Sequence, residues 1–147
     1  MAGNAGCRFA ALCCLALWSF CSTSPAPPAP PPPPTLRPGF PVPISPKNPG
    51  VRRAARLGVY SYNNSSNDLF LFKESQIQTA MVQVVRGLKY MLHVDIGRTV
   101  CEKREHSNLD NCHFQRNKSL QQVLRCYFEV WTMPWLHKAD VPVALCH

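Results

Sequence analysis

Two long runs of alternating residues, separated by Arg86 and Gly87, constrain this chain more than any other feature. Before the break, Ile77, Thr79, Met81 and Gln83 fall on one side and Gln78, Ala80, Val82 and Val84 on the other. After it, Leu88, Tyr90, Leu92, Val94 and Ile96 oppose Lys89, Met91, His93 and Asp95. Strand side chains point to opposite faces at every step, so the pattern predicts a long antiparallel hairpin with one buried face. Gly87 suits the turn because it tolerates positive φ. A third run, Leu120, Gln122, Leu124, Cys126, Phe128 and Val130, and a short fourth, Val141 to Leu145, extend the sheet. Upstream the period changes. Val51, Ala54, Ala55, Val59 and Tyr62 recur at three and four residues, with Arg52, Arg53 and Arg56 opposite, which predicts one amphipathic helix with a solvated arginine face. Asn63 to Asp68, residues that bond their own backbone, should end it. The expected architecture is α+β, with one helix packed across a four- to five-stranded antiparallel sheet.

The N-terminal third cannot belong to that core. A twelve-residue apolar run, Phe9–Phe20, followed by small residues, reads as a secretory signal peptide over residues 1–21, with its end between 21 and 24. It is shorter than the roughly 20 residues needed to span a bilayer, so no membrane anchoring is expected. Thirteen of the fifteen prolines lie between Pro25 and Pro49, which makes residues 22–46 an extended, proline-rich arm and leaves 47–147 as the folded domain. Removing the signal leaves four cysteines of the eight, an even number in an oxidising compartment, hence two disulfides. Pairing Cys101 with Cys112 and Cys126 with Cys146 closes the shortest loops and fits the hairpins. Each closure is worth roughly 3 kcal/mol. A zinc site built from these cysteines with His113 and His147 lacks a close C-x-x-C pair, so neither metal nor cofactor is expected.

Composition narrows function further. The net charge of +8 raises nucleic acid as a partner, but no run of five or six like charges exists and basic and aromatic residues do not interleave on a strand. No nucleic-acid binding is expected. Nor is an enzyme: every mature cysteine is assigned to a disulfide, the serine-hydrolase, zinc-protease and phosphate-loop motifs are missing, and nothing brings Asp110 and Glu129 together as a carboxylate pair. What stands out is two turns, Gln83 to Gly87 and Met133 to Leu136. In the second, Trp135 beside Pro134 has the character of a binding anchor, whereas Trp131, inside the strand pattern, reads as structural.

These residues carry a resemblance. Gln83-Val84-Val85-Arg86-Gly87 resembles the Q-x-V-x-G signature of the cystatins, inhibitors of papain-like cysteine proteases, and Pro134-Trp135 resembles their second loop. Gly50 to Ala54 resembles the start of the family helix, Ile96 to Cys101 and Leu109 to Cys112 the first disulfide region, and Gly39 the family's N-terminal glycine. The signal peptide, the length and the two C-terminal disulfides resemble the secreted type 2 branch, and Phe70 to Glu74, Gly87 to Leu92 and Val141 to Val143 are most similar to its leukocyte member. The resemblance implies a wedge of three elements entering the protease cleft without offering a scissile bond: the arm around Gly39, the hairpin Gln83, Val84, Val85, Arg86 and Gly87, and the hairpin carrying Pro134 and Trp135. Implied partners are papain-like proteases such as cathepsins L and C. The alternative within the fold is a carrier or pro-domain module that has lost inhibition, against which the intact Gln83, Gly87, Pro134 and Trp135 argue.

Ser66-Asn67-Asp68 is similar to the loop by which some type 2 cystatins inhibit the asparagine-specific protease legumain; helix-terminating turn chemistry explains the same residues. Asn63, Asn64 and Asn117 head glycosylation sequons, so a glycan at Asn63 or Asn64 would hinder that loop and could direct part of a secreted protein to endosomes and lysosomes. The leukocyte member carries further cysteines associated with a disulfide-linked dimer. Ser65 stands where one of them would be, and a monomer active without reduction is expected.

Overall fold

The computed structural model describes residues 28–29, 39–105 and 107–147. The expected signal peptide, Cys21 and most of the proline-rich arm, including Leu36 to Pro38, lie outside the described residues. Among the described residues, five strands form one antiparallel sheet in sequence order: β1 (Val42–Pro43), β2 (Phe70–Val85), β3 (Gly87–Glu102), β4 (Val123–Met133) and β5 (Lys138–Cys146). One helix, α1 (Pro49–Ser65), crosses the sheet's inner face. The α+β fold read from periodicity is the fold observed.

Helix α1 starts where Asn48 accepts a hydrogen bond from the Gly50 N–H at 2.8 Å and Pro49 supplies a preset φ for the first turn. Its apolar stripe, Val51, Ala54, Ala55 and Val59, is fully buried against Phe72, Val82, Leu92, Val94, Ile96, Phe128 and Val130 of the sheet. The β2–β3 pairing is interrupted by three register shifts, which let two sixteen-residue strands bend around the helix instead of running flat. Both disulfides pair as expected, Cys101–Cys112 and Cys126–Cys146. The second joins residues directly opposite each other on β4 and β5, so it encloses the turn between those strands.

Several local expectations are corrected. Asn63 does not end the helix: it is 4% exposed, donating its side-chain amide to the Phe72 carbonyl and accepting the Phe72 N–H, both at 2.9 Å, and α1 runs on to Ser65. Its nitrogen is committed inside the fold, which leaves no room there for a glycan, while Asn64 and Asn117 are exposed. Arg56 does not belong to a solvated face with Arg52 and Arg53. It bridges Glu74 on β2 and Asp110, at 2.6 and 2.9 Å. Strand β4 begins at Val123 rather than Leu120, because Asn117 folds the preceding residues into a turn through its carbonyl and side-chain oxygens. β1 puts chain upstream of Lys47 into the sheet, with Val42 opposite Val82 and Pro43 opposite Met81.

Candidate functional site

One end of the sheet carries all eight residues of the expected wedge. Gly39, with φ +89°, donates its N–H to the Val84 carbonyl at 3.1 Å, and its own carbonyl accepts from the Gln83 side chain at 3.0 Å. Gln83 is therefore the clasp that holds the arm to β2. β2 and β3 stay paired up to Val85 opposite Gly87, so that Arg86 alone forms the tip. A φ of +103° at Gly87 closes this turn. A Cβ at Gly87 would also stand 2.2 Å from the Thr132 carbonyl oxygen, so β4 passes directly against the glycine.

β4 then holds the tip. The Trp131 indole N–H donates to the Arg86 carbonyl at 2.7 Å, and the Thr132 hydroxyl donates to the Leu88 carbonyl at 3.3 Å. Trp131, read from sequence as structural, is so, and the partner that sequence reading missed is the Arg86 carbonyl at the tip. Its position in the alternation gave its strand but not the direction of its N–H. Beyond Met133, Pro134–Leu136 makes a single 3-10 turn, closed by the His137 N–H bonding the Pro134 carbonyl at 3.1 Å, with His137 at φ +49°. The result is a row of exposed apolar groups on rigid turns: Phe40, Val85, Trp135 at 61% and Leu136 at 59%. Monomeric proteins rarely leave such a ridge open without a partner for it. Val84 is half-buried and Arg86 exposed.

Ser66, Asn67 and Asp68 lie at the opposite end of β2, up to roughly 50 Å of strand away. The Ser66 carbonyl and hydroxyl both accept from Lys103, at 2.5 and 2.8 Å. Asp68 accepts the Phe70 N–H at 2.9 Å and pairs with Arg98 at 2.5 Å. Between these anchors Asn67 is exposed. The Asp110 and Glu129 carboxylates are each paired with a cation, Arg56 and Lys89 respectively. Among the described residues no group of three or more His, Cys, Asp or Glu is arranged to hold a metal, and no helix is long and apolar enough to cross a membrane.

A cystatin domain model matches residues 39–135. The chain is 51% identical to human cystatin F over 93% of its length and 94% of that protein, and 52% identical to mouse cystatin F over 92% and 94%. Human cystatin C is 37% identical over 74% of this chain. The solved structure of dimeric human cystatin F superposes with a TM-score of 0.74 at 51% identity, covering 86% of this chain and 95% of that one. The match begins at the glycine that clasps β2 and ends on the tryptophan of the second turn; the chain belongs to the cystatin family of cysteine-protease inhibitors.

Proposed function

We propose that this chain inhibits papain-like cysteine proteases, cathepsins L and C among them, by inserting the edge formed by Gly39, Gln83 to Gly87 and Pro134-Trp135 into the active-site cleft. The observation that carries the reading is the common mounting of three separate chain segments: Gly39 bonded to β2, and the Arg86 tip bonded to β4 through Trp131. Turns fixed before binding lose little entropy on docking, and a protease and its inhibitor each bury about 800 Å². Trp135 and Val85 supply the apolar contact, while the tight turn at Gly87 keeps any peptide bond from lying extended across the protease nucleophile. The protein obstructs; it performs no chemistry. Titration of papain and cathepsins L and C with the secreted protein, without reductant, tests this. Tight inhibition that weakens on Trp135→Ala is expected, and no inhibition by the disulfide-bonded protein overturns it in favour of the carrier reading.

Legumain inhibition through Asn67 is a second reading, supported by an exposed asparagine between two anchored neighbours. Asn67→Ala should abolish it while leaving papain inhibition unchanged, and enzymatic removal of a glycan at Asn64 should strengthen it. Unchanged legumain titration after both steps sinks the idea. Homologues of this family are secreted. The apolar run ending at Phe20 supports a cleaved leader here, and the exposed sequons support delivery of a glycosylated fraction to endosomes and lysosomes. With Ser65 bonded back to the Ser61 and Tyr62 carbonyls, we expect a monomer that needs no reductive activation.

A further inference from the structure

Beside the second turn lies a half-open groove of about 320 Å³, between the first two turns of α1 and the β4–β5 connection. Leu57, Leu88 and Tyr90 line its interior, and Arg53, His137 and Lys138 stand around it with no acidic residue among its lining. Pro134 forms one wall, so the groove is continuous with the protease-binding edge. Two observations say what it lacks. Tyr90 is 6% exposed, yet among the described residues no protein group bonds its hydroxyl, which lies where a Cβ on Gly50 would come within 2.5 Å. Burial pushes the Tyr90 hydroxyl up from its ordinary pKa, and the protonated group, which lines the groove, presents its O–H there. Arg53 and Lys138, likewise, form no ion pair among the described residues.

We propose that this groove is an exosite for the docked protease, taking an apolar side chain flanked by Asp or Glu from the protease surface beside the second turn. The inference rests on the wedge reading above, since only a protease seated on that edge reaches the groove. The apolar lining takes the stem, the Tyr90 hydroxyl and the cationic rim take the carboxylate, and proteases acidic at that place associate faster. Selectivity among proteases with similar clefts would then arise outside the cleft.

The test compares the full secreted protein with an Arg53→Glu/Lys138→Glu variant, a Tyr90→Phe variant, and an Arg116→Glu/Lys118→Glu control that makes the same charge change in the exposed β3–β4 connection. Association rates and inhibition constants for papain and cathepsins L and C are measured at about 50 and 300 mM salt, across which screening lengths shorten. The groove reversal should slow association with at least one protease about tenfold at low salt and less at high salt. Tyr90→Phe should weaken inhibition of that protease at unchanged Tm, with the control unaffected. Unchanged constants for all three proteases, or an equal loss in the control, overturn the exosite while leaving the wedge intact. Failure of the unmodified protein to inhibit any of them removes both.

Discussion

Replacing Gly87 with alanine separates two costs that sequence alone would merge. The backbone there has φ +103°, a region that costs an L-residue about 1–2 kcal/mol. The added methyl would also sit 2.2 Å from the Thr132 carbonyl oxygen, a backbone atom that cannot rotate away. Relief requires the β2–β3 tip to lift from β4, and strain of this kind is worth about 1–3 kcal/mol. The total, roughly 2–5 kcal/mol, corresponds to a Tm drop of about 10–25 °C for a domain this size. Gly39 is the internal control: its φ is +89°, but nothing lies within 4 Å of its missing Cβ, so Gly39→Ala should lower Tm by no more than about 5–10 °C, the backbone cost alone. Calorimetry on both variants, with papain titration of the Gly87 variant, is the assay. Lifting the tip breaks the Trp131 bond and should weaken inhibition at least about tenfold, 1.4 kcal/mol. Equal melting of the two alanine variants would refute the close-approach argument.

Four other outcomes follow from particular contacts. Trp131→Phe keeps an aromatic side chain but removes the indole N–H that bonds Arg86; a net loss of about 0.5–1.5 kcal/mol should raise the papain inhibition constant roughly 2- to 12-fold, mainly through faster dissociation. Asn63→Ala strands both backbone groups of Phe72 in the core and should destabilise by about 2–4 kcal/mol in denaturant titration. Glycopeptide mass spectrometry should find sugars on Asn64 and Asn117 and none on Asn63, since only the first two are exposed. Hydrogen bonds from Lys89 and Tyr127 hold the Glu129 carboxyl below its ordinary pKa of 4.5. The charged form is therefore favoured by folding, and its contribution is complete above about pH 4.5 and is lost as pH falls through the depressed value. Glu129→Gln should flatten the acid limb of a Tm-against-pH curve.

The sheet, the helix and both disulfides were legible because each depends on a periodic or countable property. Burial of one face forces alternation in β2 and β3, and four cysteines allow only three connectivities, of which the sequential one closes the shortest loops. The residues of the proposed wedge stand out through short motifs, Gln83 to Gly87 above all, and the fold gathers them at one end of the sheet. Less visible were features that depend on where one atom points. Asn63 has the chemistry of a helix breaker, yet its amide substitutes for a strand partner of Phe72. Arg56 shares a helix face with two solvated arginines but finds carboxylates brought near by tertiary folding. β1 is two residues, one of them a proline, too short for any period, and exists only because β2 offers a free edge. Trp131 reads as structural from the strand pattern, which counts residues and cannot see the indole hydrogen bond that makes it a brace for Arg86.

The disulfides divide the two turns of the proposed wedge by what a cut would do to them. Cys126–Cys146 makes the segment bearing Pro134 and Trp135 a covalently closed ring, so hydrolysis of any peptide bond inside it adds a water and releases nothing. The two new ends stay on one molecule, held in register by β4 and β5. The first turn has no such protection. Both disulfides among the described residues lie wholly C-terminal to Gly87, so within that part of the chain a cut at Arg86 would leave α1 and β2 attached by noncovalent contacts alone. With a protease seated as proposed, the burden of resisting cleavage therefore falls on the geometry of the first turn, and the second can survive a nick as an intact fold.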